Sequence, residues 1–189
     1  MGSILLDHRT EILDLAFASI RHGIASGQLI SLEAASYHPA LKSRRATFVT
    51  LTKNGNLRGC IGSLQAVRPL VVDVTRNAFA AAFADPRFTR VSAREVQTLR
   101  IQISMLSEFE SLSFQSESDL ISQLRPGIDG LVLEDRTRKG TFLPSVWESF
   151  PEPQDFLNQL KRKAGLAENY WSERIRVSRY STESISGPD

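Results

Sequence analysis

Thr47-Phe48-Val49-Thr50-Leu51-Thr52, the pair Asn54-Gly55, and then Leu57-Arg58-Gly59-Cys60-Ile61-Gly62-Ser63-Leu64 read together as one β-hairpin. The first run is rich in β-branched and aromatic residues, which suit a pleated, half-buried surface. Asn-Gly supplies the left-handed residues that a tight hairpin turn requires. The return run carries the only cysteine of the 189 residues, framed by Gly59 and Gly62 and preceded by Arg58. A glycine inside a strand marks a bulge or a close approach by another backbone or a ligand. In a regular strand Arg58, Cys60 and Gly62 share one face, while Leu57, Gly59 and Ile61 share the other. The guanidinium then stands roughly 6–7 Å along the strand from the thiol. A nearby cation favours the thiolate, the nucleophilic form. Against that, a free cysteine more often behaves as a small buried hydrophobe.

Working outward, Asp7 is expected to cap a helix running to Ser26, with Ile12, Leu13, Ala16, Phe17, Ile20 and Ile24 at helical spacing and Gly27 closing it. Pro69 opens a second helix whose buried stripe is Leu70, Val71, Val74, Ala78, Ala81 and Ala82. Asp85-Pro86 ends it, because a residue before proline avoids the helical region. Ser92 starts a short helical turn. Leu99, Ile101, Ile103 and Met105 alternate as a half-buried strand. A short helix is predicted over 116–124, a second hairpin over 130–134 and 139–143, and a third major helix over 153–164. In that helix Phe156, Leu157, Leu160 and Ala164 face inward, while Lys161, Arg162 and Lys163 suit the C-terminal dipole. Ile175 and Val177 mark a last strand. Helices and hairpins are mixed without regular strand–helix alternation, so the class is α+β, an antiparallel or mixed sheet with flanking helices. Residues 7–181 form a single domain in this reading, and the polar residues 182–189 are expected to fray.

The totals exclude several functions. A net charge of +2, spread over basic clusters at 42–45, 136–139, 161–163 and 174–179, argues against specific nucleic-acid binding. One cysteine allows neither an internal disulfide nor a multi-cysteine zinc site. His8 and His22 are about four helical turns apart, too far to share a metal, and His38 lies in a loop. Walker and dinucleotide-binding patterns are absent, so no cofactor is expected. No run approaches the roughly 20 apolar residues of a membrane span. A cytoplasmic location follows as the expectation.

Four stretches together resemble one family, the AmmeMemoRadiSam system protein A or AMMECR-one domain. They are Leu57-Arg58-Gly59-Cys60-Ile61-Gly62; Ala81-Ala82-Phe83-Ala84-Asp85-Pro86-Arg87-Phe88; Gly127-Ile128-Asp129-Gly130-Leu131; and Gly140-Thr141-Phe142-Leu143-Pro144 with Lys163-Ala164-Gly165-Leu166 and Trp171. The resemblance implies a compact α+β domain of two unequal lobes, with the Arg-Gly-Cys motif lining a cleft. It also implies a Memo-like protein and a radical-SAM protein as pathway partners, and no particular chemistry. The sequence departs from the family's pattern at Thr89-Arg90, where a proline is commoner, and at Ser145, where glutamine is.

Two functions fit the motif. In the first, Cys60 is the nucleophile of an enzyme acting on a small molecule, with His38 the one candidate base nearby in sequence. In the second, the chain is a ligand-binding or adaptor module. Arg58, Gly59, Gly62, Arg87 and Phe142 would then contact a small anionic ligand or a partner's peptide. Asp85 and Arg87 are expected to pair with each other, and Phe88 to plug the core.

Overall fold

The computed structural model describes residues 3–187. Its strands are β1 (Thr47–Lys53), β2 (Asn56–Gly62), β3 (Leu99–Leu106), β4 (Glu110–Ser111), β5 (Gly130–Asp135), β6 (Arg138–Phe142), β7 (Arg176–Tyr180) and β8 (Thr182–Gly187). Its α-helices are α1 (Ile4–Asp7), α2 (Arg9–Ser26), α3 (Pro39–Lys42), α4 (Leu70–Phe83), α5 (Glu117–Gln123) and α6 (Pro153–Lys163). The class is α+β. The strands form two four-stranded sheets, in the orders β2-β1-β3-β8 and β4-β7-β5-β6. The chain divides into two compact units, residues 3–106 with 183–187, and residues 107–182.

The first unit is built on the hairpin. Asn54 and Gly55 both adopt left-handed backbone, with φ of 51° and 77°, and reverse the chain between β1 and β2. The pairing is not regular. Thr52 faces Leu57, but Leu51 faces Gly59, so Arg58 is the extra residue of a β-bulge. The bulge breaks the alternation that would have put Arg58 and Cys60 on one face. α4 packs on β1 and β2, and α2 packs on α4 and β3. The predicted stripe of α4 is buried throughout. Gly59 is where α4 comes closest: a Cβ there would lie 2.1 Å from the Ala81 carbonyl oxygen.

A buried carboxylate locks this packing. Asp73, on α4, is fully buried. It accepts hydrogen bonds from the Thr47 N–H (2.9 Å) and hydroxyl (2.8 Å), from Ser63 Oγ (3.0 Å to each oxygen) and from Asn77 Nδ2 (2.9 Å). Arg68 adds two more bonds, from Nε at 3.1 Å and Nη2 at 2.9 Å. Asn77 also donates to the Thr47 carbonyl at 2.9 Å. One turn and a half of helix is thereby pinned to both ends of the hairpin.

Two expectations change here, and a third holds. The first helix breaks at His8 into α1, capped by Ser3, and α2, so Asp7 lies inside α1 and caps nothing. The turn expected at Ser92 is present, the Glu95 N–H donating to the Ser92 carbonyl at 3.0 Å, and it runs on into a 3₁₀ turn at Val96–Thr98. Residues 182–187 do not fray. They form β8 beside β3, with Ile185 buried in the core and Ser184 Oγ 2.8 Å from Ser104 Oγ. Their polar composition hid a strand that is ordered by its neighbour.

In the second unit α6 packs on β6 and α5 on α6. Gly140 of β6 would place a Cβ 3.0 Å from the Ala164 amide, so the end of α6 sits directly on the strand. Trp147 stacks on Phe156 at 3.8 Å and donates to the Asp129 carbonyl at 2.7 Å. The Asp129 carboxylate is held by Arg125. Lys161 does more than suit the helix dipole. It is fully buried, donating to Glu117 Oε1 at 2.5 Å and to the Glu168 carbonyl at 2.8 Å. Burial of Tyr180 pushes its hydroxyl pKa up to about 12, a hydrogen bond with Thr141 opposing the shift.

Candidate functional site

β2 is an edge strand, so its outer N–H and C=O groups need partners that no neighbouring strand supplies. The segment after α4 supplies them with side chains. The Cys60 N–H donates to Asp85 Oδ2 at 2.9 Å, and Arg87 Nη2 donates to the Cys60 carbonyl at 3.3 Å. Asp85 and Arg87 are themselves joined twice, Nε to Oδ1 at 3.0 Å and Nη2 to Oδ2 at 2.7 Å. The Arg87 N–H closes on Asp85 Oδ1 at 3.1 Å. One bidentate pair thus stands in for a strand at Cys60, fixing its backbone from outside.

A second clamp acts at the bulge. Arg58 donates from Nε to Glu95 Oε1 at 3.0 Å and from Nη2 to Oε2 at 3.2 Å. It also donates to the carbonyls of Thr89 (2.8 Å) and Arg90 (3.3 Å). Glu95 further accepts from Lys53 Nζ at 3.2 Å and from the Ser92 N–H and hydroxyl, each at 3.0 Å. The guanidinium that the sequence placed beside the thiol is instead spent on the 89–95 segment.

The electrostatics follow these pairings. The Arg87 guanidinium, helped by the two backbone N–H groups and opposed by burial, holds the Asp85 carboxyl well below the usual carboxylate range. Arg58, then the Ser92 N–H, does the same for Glu95. Asp85 in turn raises the Arg87 pKa. Because both carboxyl pKa values are depressed, their stabilisation is complete above the ordinary value near ~4 and is lost as pH falls through the folded values. Urea midpoints are therefore expected to hold steady from neutral pH to about 5 and to fall below about 4. The double variant Asp85→Asn/Glu95→Gln should start lower and lose less over the same acid range; an unchanged acid slope would assign the sensitivity to other groups.

Cys60 itself is half-buried. Its Sγ lies 3.3 Å from Thr50 Oγ1, the residue directly across the hairpin. His38 is engaged elsewhere. Its Nδ1 accepts the Ala40 N–H at 3.3 Å, capping α3, and its ring is 4.8 Å from that of His8. Gly62 makes room for the Phe48 ring, whose nearest atom would be 2.3 Å from a Cβ. Gly59 and Gly62 therefore both serve packing. Phe142 belongs to the second unit, where its ring meets Phe156 at 5.3 Å and Lys163 Nζ at 5.0 Å. Phe88 is half-buried under the Arg87 guanidinium, 5.4 Å from its ring, and does not plug the core.

Sequence reasoning missed Thr50, Glu95, Asp73 and Asn77. Only Asp73 carried a signal, a carboxylate set among the apolar residues of a buried helix. Among the described residues no three His, Cys, Asp or Glu side chains form a group able to hold a metal, and no helix is long and apolar enough to cross a membrane.

Comparisons with known proteins agree with the motifs. A protein of Methanothermobacter thermautotrophicus is 37% identical over 144 residues, 75% of each chain. One of Sulfolobus acidocaldarius is 33% identical over 193 residues, covering 96% of this chain and 82% of its own. The crystal structure of an uncharacterised Pyrococcus horikoshii protein superposes with a TM-score of 0.85 at 28% identity, over 93% of this chain and 89% of that one. The AMMECR1 family model matches residues 13–185, and the chain belongs to the AMMECR1 family.

Proposed function

We propose that this chain is a non-catalytic binding module that recognises a partner's peptide along the outer side of β2. One observation carries the reading: the charged groups of the motif are already paired with one another. Arg58 is bound to Glu95, and Arg87 to Asp85. The hydrogen-bond partner of the sulfur is a hydroxyl, not a base. Such an arrangement supports a rigid surface better than proton transfer, which needs a base within hydrogen-bond reach of the nucleophile. Leu57 of β2 is 43% exposed, and the Arg87 side chain, bonded to the Cys60 carbonyl of the same strand, is 54% exposed. An apolar anchor beside a guanidinium is a common recognition pair. The Memo-like and radical-SAM proteins implied by the resemblance are the first partners to test.

A second reading keeps Cys60 as an enzyme nucleophile. What favours it is that the residue is half-buried, not sealed in the core. Binding to the purified Memo-like protein separates the two. Leu57→Glu should weaken it at least tenfold, while Cys60→Ser binds as the parent does. A covalent adduct on Cys60 after incubation with a small-molecule extract, turning over and absent from Cys60→Ser, would overturn the binding-module reading.

A further inference from the structure

A cavity of about 860 Å³ lies in the first unit, between α2, the 93–97 segment and the end of β8. Its size falls within the ~300–1,000 Å³ of small-molecule sites. It shares no residue with the Cys60 clamps, and nothing that follows depends on how Cys60 is read.

Its floor is apolar and open on one side. Leu13 and Phe17 of α2 are nearly buried, while Ile24 and Val96 are half-buried and pack against the core from outside. Its charged groups are Arg9, Asp14 and Arg21. The Arg21 guanidinium lies over the Phe17 ring, 5.6 Å from its centroid. Among the described residues Arg21 makes neither a hydrogen bond nor an ion pair, whereas Arg58, Arg68, Arg87, Arg125 and Arg179 each hold a carboxylate. Arg9 closes another part of the lining by donating to the Ser186 carbonyl. Among the described lining residues, two guanidinium groups, Arg9 and Arg21, accompany one carboxylate, Asp14.

An unpaired guanidinium resting on an aromatic face, above an apolar floor, is complementary to one anionic head on one apolar body. We infer that this cavity binds a small monocarboxylate with an apolar chain. The carboxylate sits on Arg21 and the chain runs over Phe17 towards Leu13 and Val96. Leu13 and Arg21 are eight residues apart, about 12 Å along a helix, a span that fits a medium-length alkyl chain. The wall that holds Ala93 and Val96 also carries Glu95, which grips Arg58. An occupant would therefore press on the segment that supports the bulge of β2.

Calorimetric titration of the whole protein with octanoate tests this, with octan-1-ol as the uncharged probe of the same length. Octanoate is expected to bind saturably at one site. Arg21→Gln should weaken octanoate at least tenfold and leave octan-1-ol unchanged. Ala93→Trp, a change at an exposed position that fills the mouth, should abolish both, and Arg136→Gln in the second unit should alter neither. No saturable octanoate binding up to about 1 mM, or equal octanoate affinity in the parent and Arg21→Gln, would overturn the proposal.

Discussion

Asp73→Ala is expected to destabilise the first unit by about 3–5 kcal/mol, the cost of removing one member of a buried charge pair. The carboxylate is fully buried and serves four residues at once: Thr47, Ser63, Arg68 and Asn77. Removing it leaves the Thr47 N–H and the Asn77 amide with fewer acceptors in a place where water does not reach, and leaves Arg68 without its anion. Asn in place of Asp restores the shape and one acceptor, but turns two acceptor oxygens into one and puts an NH₂ among donors. Asp73→Asn should therefore recover only part of the loss. Urea unfolding of the full chain measures both. A change under about 1 kcal/mol in Asp73→Ala would show that the network is incidental to the packing of α4.

Gly59→Ala is expected to cost about 3 kcal/mol, the upper end of what overpacking a tight core commonly costs. The atom in the way of the new methyl is a backbone oxygen of α4, 2.1 Å from the Cβ position, and it cannot rotate aside. Either α4 lifts from the hairpin or β2 moves out, and both displace Cys60. Gly62→Ala is the control. There the obstacle is the Phe48 ring, a side chain that can turn, so the loss should be smaller. Equal losses at the two positions would mean that the whole edge strand relaxes as a unit. The contrast bears on function, because the conspicuous glycines of the motif are explained by helix and ring packing before any ligand is considered.

What remains conspicuous around Cys60 is how fully its surroundings are tied down. Edge strands are liabilities that proteins cover or charge. Here the cover is two salt-linked clamps, Asp85–Arg87 and Glu95–Arg58, set on one continuous stretch of chain. The strand is held at both clamps, with Leu57 and the Arg87 side chain exposed. That is a preorganised surface, which lowers the ordering cost of binding.

Much of the fold was legible in local patterns. Asn54-Gly55 demanded a hairpin because both residues tolerate positive φ. The apolar stripe of α4 and the alternation of Leu99, Ile101, Ile103 and Met105 gave helix and strand because their periods differ. Gly165, with φ of 77°, closes α6 where its sequence placed the end. The pairing of Asp85 with Arg87 was likewise readable, since two residues of opposite charge flank a proline at a helix end. Other features belonged to the tertiary structure alone. A two-residue turn with regular pairing would put Gly59 opposite Thr50; the bulge at Arg58 puts Cys60 there instead. Nothing local specifies that shift, which suits the approach of α4 and the capture of Arg58 by Glu95, 37 residues on. β8 was invisible for the same kind of reason: Thr182–Gly187 is polar and becomes a strand only because β3 offers it an edge. Local periodicity decides which segments are helix or strand, because it reports a single segment's own buried face. Register, clamps and the residue that meets a thiol depend on groups far apart in the chain, and only their packing together selects them.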